Sequence, residues 1–380
     1  MPRTIVYIGN GLPDRTAGAL RIMANVKALQ AGGYNVVLIN EMDKTNNRLN
    51  PTHIQGFETY NILYPSSAFE WFKRLISASD FIRIIKQLTD IEAVIIYGPT
   101  AGSLLSLRKY CKKCGIKTLI DCVEWHSTAH LHGLKKFIKS IDVFINMRYA
   151  QKKADGIILI SNYLRNYYKH NKTLRVHPLI DRSDKKWPAR TKHTYGDGLL
   201  RFVYAGSMGN DKDEISRIIE TLSKYKDYQF QFEIIGISNK EFISHHPHLN
   251  EILKQLSSKI FFLGRLPHEL TLQHIANADF SFLIRRPTLK NNAGFPTKLG
   301  ESLACATPVI ANRFSDIAEV IDGEYMGILI ETVDDLPMAV EKTFNLSRAK
   351  IETMKDNAYH CNTFDYRSYI VPLKNFITSC

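Results

Sequence analysis

The 380-residue sequence lacks any apolar run of 18 or more residues, so we expect no membrane-spanning helix. The apolar stretch near its start is too short for a signal peptide, and it predicts a β-strand instead. Cysteine is scarce, and the six residues lack the spacing of a disulfide framework, which predicts reduced thiols in a cytoplasm. Cys111 and Cys114 form a C-x-x-C without a second cysteine or histidine pair at a zinc spacing, so a buried helix face is favoured over a metal site.

Acidic residues are outnumbered, with 37 against 50 basic residues and a net charge of +13. A basic chain attracts polyanions, namely nucleic acid, anionic lipid or polyphosphate ligands. No nucleic-acid-binding module is recognisable, so a nucleic-acid partner is not expected. Polyphosphate ligands and anionic lipid surfaces therefore stay open as partners.

The length suits two domains, and apolar strands alternate with helical segments along both halves. This βαβ rhythm predicts an α/β chain with parallel sheets covered by helices on both faces. The polar stretch 182–198 has no apolar period and is interpreted as the linker. In the first half the predicted strands are Thr4–Gly9, Asn35–Asn40, Ala93–Tyr97, Lys117–Asp121 and Gly156–Ser161, and the predicted helices are Ala17–Ala31, Ser103–Cys114 and Asn162–Tyr168.

The rhythm restarts after the linker and includes the segment AGFPTKLGESLACATPVIA, which begins at Ala293. Gly294 and Pro296 are expected to open a helix whose free backbone N–H groups can bind an anion. Lys298 and Glu301 share one helix face, so the cation suits a phosphate and the carboxylate a sugar hydroxyl pair. A plain αβ unit with a surface Lys–Glu pair fits the spacing equally well.

This segment resembles the donor-site signature of retaining GT-B glycosyltransferases of family 4, the glycosyl transferases group 1 type. The signature consists of a glutamate, seven residues, a second glutamate and an A-x-G-x-P-V-I-like stretch. Glu301 matches the second glutamate, and Ser302–Ile310 match the stretch behind it. The first glutamate would fall at Ala293 and is absent, and a branch of the family with F-P-T-K-L-x-E fits better.

The resemblance implies two doubly wound Rossmann-like α/β domains that face each other across a cleft. Residues 1–185 would form the acceptor-side domain, and residues 199–363 would form the nucleotide-sugar domain. A last helix within 364–380 would cross back onto the first domain. Ligands would bind at the carboxyl ends of the strands.

The resemblance also implies a set of donor-site residues in the second half. In the family an arginine and a lysine after the first strand of this domain hold the diphosphate. Lys212 matches the lysine, whereas Ser207 stands at the arginine's place, so Arg285 and Arg286 are natural substitutes. Lys212, Lys298 and Arg285 would neutralise the leaving diphosphate, with solvated surface charges as the alternative. The donor would also contact Gly206, Ser207, Arg265, Leu266, Arg286, Gly294, Phe295, Pro296, Thr297, Leu299 and Glu301.

Two first-half motifs are further candidates. Gly9, Asn10 and Gly11 follow the first strand and are interpreted as a tight turn near the acceptor and the donor phosphates. Glu124 and His126 follow a strand and could hydrogen-bond a sugar or leaving group, with a structural histidine and a buried hydrogen-bond anchor as the alternatives. A metal cluster of His126, His130 and His132 is less favoured than solvated histidines.

Two basic segments with apolar residues at helical spacing, Phe69–Leu88 and Leu134–Ile141, lie in the first half. Such helices can lie on anionic membranes, and here electrostatic attachment without insertion is expected. Core-packing helices with solvated lysines are the alternative.

We therefore expect a cytoplasmic, metal-independent and cofactor-free retaining glycosyltransferase, peripheral at the inner membrane face. It would move a sugar from a nucleotide diphosphate to a glycan or lipid-linked acceptor, as in bacterial surface polysaccharide synthesis. A nucleotide-sugar epimerase of the same fold and a non-catalytic membrane-associated scaffold are the alternatives.

Overall fold

A computed structural model describes residues 2–13, 16–42, 51–128, 131–190, 198–207, 212–321 and 323–380. The chain divides into unit 1, Met1–Asp181 with Phe364–Cys380, and unit 2, Arg182–Thr363. The division falls a few residues before the predicted boundary at 185. Residues 182–190 of the predicted linker count with unit 2, where Arg190 lies 3.1 Å from Asp356, and 191–197 lie outside the described residues.

Unit 1 is built on a sheet whose central strands are buried on both faces, which explains their nearly continuous apolar sequences. In space the described strands run β3-β4-β2-β1-β5-β6-β7-β8, and each pair is parallel except β3 with β4. Gln55 and Gly56 both have positive φ, as a two-residue hairpin turn requires, and they join this antiparallel pair. The strands are β1 Thr4–Asn10, β2 Asn35–Met42, β3 Thr52–Ile54, β4 Phe57–Leu63, β5 Ile91–Tyr97, β6 Lys117–Cys122, β7 Gly156–Leu159 and β8 Thr173–Arg175.

Capping hydrogen bonds and changes in backbone conformation set the ends of the helices of unit 1. The Thr16 hydroxyl accepts the Ala19 N–H at the start of the first helix, and the Gly32 N–H closes its end. The expected helical segment Phe69–Leu88 is two helices, because the Ser77 backbone is extended. The helices are α1 Ala17–Ala31, α2 Ala68–Ile76, α3 Ser79–Ile85, α4 Ala101–Lys113, α5 Gly133–Ile145 and α6 Asn162–Tyr168, with short helical turns at Asn146–Ala150 and Gln151–Lys153.

Unit 2 repeats the parallel α/β arrangement, with described strands in the order β11-β10-β9-β12-β13-β14. Its core is rich in phenylalanine, and the Phe202 and Phe282 rings stack at 5.1 Å between centroids. The strands are β9 Leu200–Ala205, β10 Phe230–Ile235, β11 Ile260–Gly264, β12 Phe280–Leu283, β13 Val309–Asn312 and β14 Gly327–Ile330. The helices are α7 Ile215–Ser223, α8 Asn239–His245, α9 Asn250–Gln255, α10 His268–Asn277, α11 Leu289–Ala293, α12 Thr297–Ala304, α13 Leu336–Phe344 and α14 Arg348–His360, with short turns at Pro247–Leu249, Ile317–Glu319 and Val333–Asp335.

The chain then returns to unit 1 through a short turn, Tyr366–Tyr369, and α15, Ile370–Ser379. Leu373 and Ile377 are buried in the unit 1 core, and the Lys117 ammonium donates to the Ile377 carbonyl at 2.8 Å. Gly156 of β7 leaves no space for a side chain, since a Cβ there would lie 2.7 Å from Phe376 Cζ. The prediction of a two-domain α/β chain with doubly wound sheets is confirmed.

Candidate functional site

The sheet of unit 2 reverses its direction of growth between β9 and β12. From β9 the chain adds β10 and β11 on one side, and then β12, β13 and β14 on the other. Open α/β sheets bind ligands at the carboxyl ends of the strands beside such a reversal. Polar side chains at the ends of β9 and β12 and on α12 meet at this point.

Asp213 lies at the centre of these side chains. Its Oδ2 accepts a hydrogen bond from Lys298 Nζ at 2.6 Å and one from the Tyr204 hydroxyl at 2.8 Å. Its Oδ1 accepts from Arg285 Nε. The Lys298 ammonium also lies 4.2 Å from the centroid of the Tyr204 ring. Two cations and one tyrosine thus share a single carboxylate, and we call these four residues the Asp213 cluster.

Burial and charge shift the ionisation of this cluster. Burial alone would raise the pKa of Asp213, but Lys298 and Arg285 hold it well below its usual value. Burial lowers the pKa of Lys298, and the Asp213 carboxylate offsets this only in part. Burial and Asp213 raise the pKa of Tyr204 well above its usual value. The lowered pKa of Asp213 keeps its carboxylate ionised at neutral pH.

Gly206, directly after β9, allows Lys298 to reach the cluster. A Cβ on Gly206 would lie 2.1 Å from Lys298 Nζ, so any side chain would displace the ammonium. The predicted contact residue Gly206 is thus required first for packing against Lys298. Ser207 follows as an exposed residue, and residues 208–211 lie outside the described part of the chain.

The amino terminus of α12 lies in the same strand-end region. Pro296 occupies the N-cap position, and within this described segment no side chain caps the helix. The Leu299 N–H donates to the Pro296 carbonyl at 3.3 Å, and the Ser315 hydroxyl donates to the Gly294 carbonyl before it. An uncapped helix start of this kind presents N–H groups to an anion.

Glu301 lies on α12 but outside the Asp213 cluster. Its Oε1 is 3.2 Å from His268 Nε2 at the start of α10. Lys298 therefore pairs with Asp213, whereas Glu301 pairs with His268. This separation is compatible with the two side chains contacting different parts of one ligand. His268 was not predicted from the sequence.

The two arginines after β12 behave differently. The Arg285 backbone is fixed by Asn312, whose Oδ1 accepts the Arg285 N–H at 2.8 Å and whose Nδ2 donates to the Arg285 carbonyl at 2.7 Å. Arg286 is mostly exposed and pairs with the buried Glu214 at 2.8 Å. Arg285 is therefore part of the Asp213 cluster, whereas Arg286 borders it through a separate pair.

The remaining predicted donor residues differ in exposure. Leu299 and Phe295 are buried, as is Ala293, where a glutamate would have to place its carboxylate in the core. Arg265 is exposed, and Leu266 packs against a group of buried apolar side chains that includes Val203 and Leu272. Lys212 has a partner and directly precedes Asp213 in sequence. This chain therefore has a buried alanine at position 293, where the family signature has its first glutamate. Pro296 is buried, and Gly294 and Thr297 are half-buried.

The unit 1 candidates lie at or just after two strand ends: Gly9 and Asn10 are the last residues of β1 instead of a turn behind it, and Glu124 and His126 follow β6. His126 Nδ1 lies 3.6 Å from Glu124 Oε1, and burial lowers the pKa of His126 although Glu124 opposes this. Gly9 is buried and faces the Ile22 side chain, and the Gly11 N–H donates to the Glu41 carbonyl at 3.3 Å. Asn10 between them is exposed.

Asp121, three residues before Glu124 on β6, has a structural role. Its carboxylate accepts from Arg21 at 2.8 Å and from the Tyr7 hydroxyl at 2.6 Å, and all three side chains are buried. The Arg21 guanidinium also donates to the carbonyls of Val176 and His177. This buried network joins β1, β6 and α1, so the Asp121 carboxylate is used to hold these elements together.

Within the described ranges no group of three or more His, Cys, Asp or Glu side chains could hold a metal ion. His130 of the considered histidine cluster lies outside the described residues. All six cysteines are free, and burial raises the pKa of the Cys111 thiol to about 11. The C-x-x-C is thus part of a helix end, with Cys111 buried and Cys114 exposed.

Two doubly wound units, with the last helix packed on the first, are the elements of the GT-B fold. Residues 200–345, which contain the Asp213 cluster and α12, match the family model described as Glycosyl transferases group 1. An uncharacterized glycosyltransferase of Methanocaldococcus jannaschii is 27% identical over 207 residues. This stretch spans about half the length of that curated relative, 53% of each chain.

Solved structures show the same fold over the whole chain. Sucrose-phosphate synthase from Thermosynechococcus elongatus aligns with a TM-score of 0.71 and 15% identity, covering 99% of this chain and 98% of its own. The Anabaena protein HepE in complex with UDP aligns with a TM-score of 0.66 and 11% identity, covering both chains completely. The fold is thus that of GT-B glycosyltransferases.

Proposed function

We propose that this protein is a retaining glycosyltransferase that uses a nucleotide-diphosphate sugar. The Asp213 cluster carries the proposal, because it places two cations at the strand ends beside the uncapped start of α12. The match of residues 200–345 to a glycosyltransferase model supports the same function.

In this mechanism unit 2 binds the donor and stabilises the leaving diphosphate. Lys298, Arg285 and Lys212 neutralise its charge, and the amides of Thr297 and Lys298 donate hydrogen bonds to it. Glu301 holds the ribose hydroxyls, and the backbone at Arg265 and Leu266 contacts the base. The bond from the anomeric carbon to the diphosphate breaks while a bond to the acceptor oxygen forms on the same face. The acceptor proton passes to the leaving phosphate, so no protein nucleophile is needed.

A uridine nucleotide is the first donor to test. The solved Anabaena HepE structures include complexes with UDP and with UDP-glucose, and the Escherichia coli trehalose-6-phosphate protein was solved with UDP-2-fluoro glucose. These proteins share the fold with this chain at low identity. The buried Ala293 leads us to propose a sugar contact different from that of the resembling signature.

The acceptor in this proposal is a glycan or a lipid-linked sugar, as in bacterial surface polysaccharide synthesis. Glu124, His126 and the Gly9–Asn10–Gly11 turn supply the acceptor contacts of unit 1. The enzyme acts in the cytoplasm, peripherally at the inner membrane face, without a metal. Basic side chains take the place of a cation at the diphosphate.

A donor screen tests this function. Purified protein is incubated with UDP-, GDP-, ADP- and dTDP-sugars, with and without candidate acceptors and with excess EDTA. Release of one nucleoside diphosphate with retained anomeric configuration in the product supports the proposal. Acceptor-independent isomerisation of the sugar would show an epimerase, and binding without turnover would show a scaffold. Activity that returns only with added Mg²⁺ or Mn²⁺ would contradict metal independence.

Glu301→Ala tests the donor orientation. We expect nucleoside diphosphate binding to weaken by about 1.5–3 kcal/mol, because a charge-assisted hydrogen bond to the ribose is lost. Isothermal calorimetry measures this, with the exposed neighbour Glu269→Ala as the control. Equal affinity of Glu301→Ala and wild type, with the fold intact, would remove Glu301 from the donor site.

A further inference from the structure

Helix α5 presents its apolar side to solvent. Its residues toward the protein are Asp142 and, in the following turn, Asn146 and Met147, all buried. The outward residues recur every three or four positions, and Leu134 is 72% exposed and Phe137 63%. A helix that packs on a soluble core has the opposite orientation. The remaining exposed apolar residues of this stripe are Ile138, Ile141, Phe144, Ile145 and Tyr149.

Helix α2 has a second exposed apolar face. Phe69 is 76% exposed, Phe72 59% and Ile76 57%, and the partly exposed Trp71 packs edge-on against Tyr64. These side chains exclude the packed-core alternative for the outward residues of both helices. The sequence predicts that these helices attach to a membrane through their charges alone. Their most exposed residues are aromatic or aliphatic, which favours insertion of apolar side chains instead.

Both helices are attached to one short segment at the start of α4. The Thr100 hydroxyl donates to the Arg74 carbonyl of α2 at 3.0 Å. On the α5 side, the Ala101 N–H donates to Asp142 at 2.8 Å and Asn146 donates to the Pro99 carbonyl at 2.6 Å. The two helices are therefore held by the same three residues, Pro99, Thr100 and Ala101. We call the exposed apolar residues of α2 and of 134–149 together the α2–α5 surface.

This concentration is specific to one part of the protein. Twenty large hydrophobic side chains are exposed in the described part of the chain, and twelve of them lie within 64–76 or 134–149. Exposed apolar side chains concentrated in this way mark an interaction site, whereas scattered exposed residues do not.

The charges around the surface select an anionic occupant. Residues 131–153 contain six basic residues and one acidic residue, Asp142, which is buried and already bonded to Lys139 and Ala101. Cations also lie over the exposed rings, with Arg148 Cζ 4.9 Å from the Phe144 centroid and Lys153 Nζ 5.2 Å from that of Tyr149. A second copy would bring a second basic surface against this one, which disfavours self-association.

We propose that the α2–α5 surface docks on an anionic phospholipid bilayer, with its aromatic and aliphatic side chains inserted at the boundary between headgroups and acyl chains. Among the described residues no helix is both long and apolar enough to cross a bilayer, so α5 lies in the interface plane. The lysines and arginines contact lipid phosphates, and the apolar residues make the attachment resistant to salt. The inference rests on the peripheral membrane location in the proposed function, and vesicle binding is measured without donor or acceptor so that the two can fail separately.

The test is vesicle sedimentation with the full chain, using phosphatidylcholine vesicles with and without phosphatidylglycerol. We expect binding to anionic vesicles, weak binding to neutral ones, and a blue shift of fluorescence that Trp71→Phe removes. Phe137→Ser/Phe144→Ser should weaken binding at least tenfold in high salt, since insertion is lost. Lys135→Glu/Lys136→Glu should weaken binding at least tenfold in low salt.

Matched changes in unit 2 serve as controls. Leu270→Ser/Met338→Ser removes two exposed apolar side chains there, and Lys226→Glu/Lys240→Glu reverses two exposed lysines. Both controls should bind vesicles as wild type does. Equal binding to neutral and anionic vesicles, equal loss in control and test variants, or no vesicle binding would overturn the proposal. Self-association abolished by Phe137→Ser/Phe144→Ser, without vesicle binding, would instead assign the surface to a second copy.

Discussion

At the scale of single residues, Asp213 determines the charge of the candidate donor site. It pairs with both Lys298 and Arg285, and its side chain is only 7% exposed. A carboxylate in this position compensates the cations while no diphosphate is bound. A nucleoside diphosphate would supply the same compensation when it binds.

Asp213→Asn tests this role. We expect a loss of about 3–5 kcal/mol in the stability of the ligand-free protein, because the pairs of the buried Asp213 carboxylate with two half-buried cations are broken. The nucleoside diphosphate should then raise the melting temperature more in the variant than in wild type. Differential scanning fluorimetry with and without the nucleotide measures both effects. An equal or smaller shift in the variant would show that Asp213 and the diphosphate do not compensate the same cations.

Lys355 gives a pH dependence of known sign. It is buried in α14 and donates to the carbonyls of Ala276 and Ala278, and burial lowers its pKa to about 8. An unfolded lysine titrates near 10.4, so between these values the unfolded chain binds more protons than the folded chain. The free energy of unfolding contributed by Lys355 therefore rises with pH, by at most about 1.4 kcal/mol per pH unit.

Lys355→Met removes that contribution. The difference in melting temperature between wild type and variant should shift in favour of wild type as the pH rises from 8 to 10. Lys350→Met, an exposed change on the same helix, is the control and should follow wild type. Parallel pH profiles of wild type and Lys355→Met would contradict the lowered pKa.

At the scale of helices and strands, the contact between α2 and α4 depends on Gly102. A Cβ there would lie 2.3 Å from the Leu75 carbonyl oxygen and 2.7 Å from Ile76 Cα, and backbone atoms cannot move aside cheaply. Gly102→Ala should therefore destabilise unit 1 by about 1–3 kcal/mol and expose α2 to proteolysis. Thermal melting and limited proteolysis measure this. Lys109→Ala on the exposed side of α4 should leave both unchanged, and unchanged proteolysis of Gly102→Ala would show that α2 is not held there.

The sequence predicted elements with strong local signals and missed the weaker ones. Helix α1 was predicted to the residue, because its apolar residues recur at helical spacing and the glycine pair Gly32–Gly33 follows its last residue. The β3–β4 pair, β14 and α14 were not predicted, since their apolar runs are short or interrupted by charges. Their place depends on neighbouring strands that are distant in sequence.

The same limit applies to the site. Lys298 and Glu301 were found because their spacing on one helix is a local signal. Asp213 gave no such signal, since its partners Arg285 and Lys298 lie 72 and 85 residues away. Only the adjacency of β9 and β12 brings them together.

At the scale of the whole molecule, α15 completes the core of unit 1. Leu373 is fully buried there, whereas Val371 on the same helix is 63% exposed. Leu373→Ala should cost about 2–5 kcal/mol, because a buried side chain leaves a cavity. Hydrogen exchange should show weaker protection in α1 and α15 and no change in unit 2. Val371→Ala is the control, and equal protection in both variants would contradict a structural role for α15.

The return of α15 also makes unit 2 an insertion in unit 1. The chain leaves unit 1 and re-enters it at neighbouring points, since the Ile180 N–H donates to the Phe364 carbonyl at 2.8 Å and the Tyr366 N–H donates to the Ile180 carbonyl at 3.1 Å. During synthesis the continuous unit 2 is finished before unit 1 receives its last helix, so the amino-terminal unit is the later one to complete its fold. For the same reason a short turn that joins residues 181 and 364 should yield unit 1 alone, with the α2–α5 surface intact.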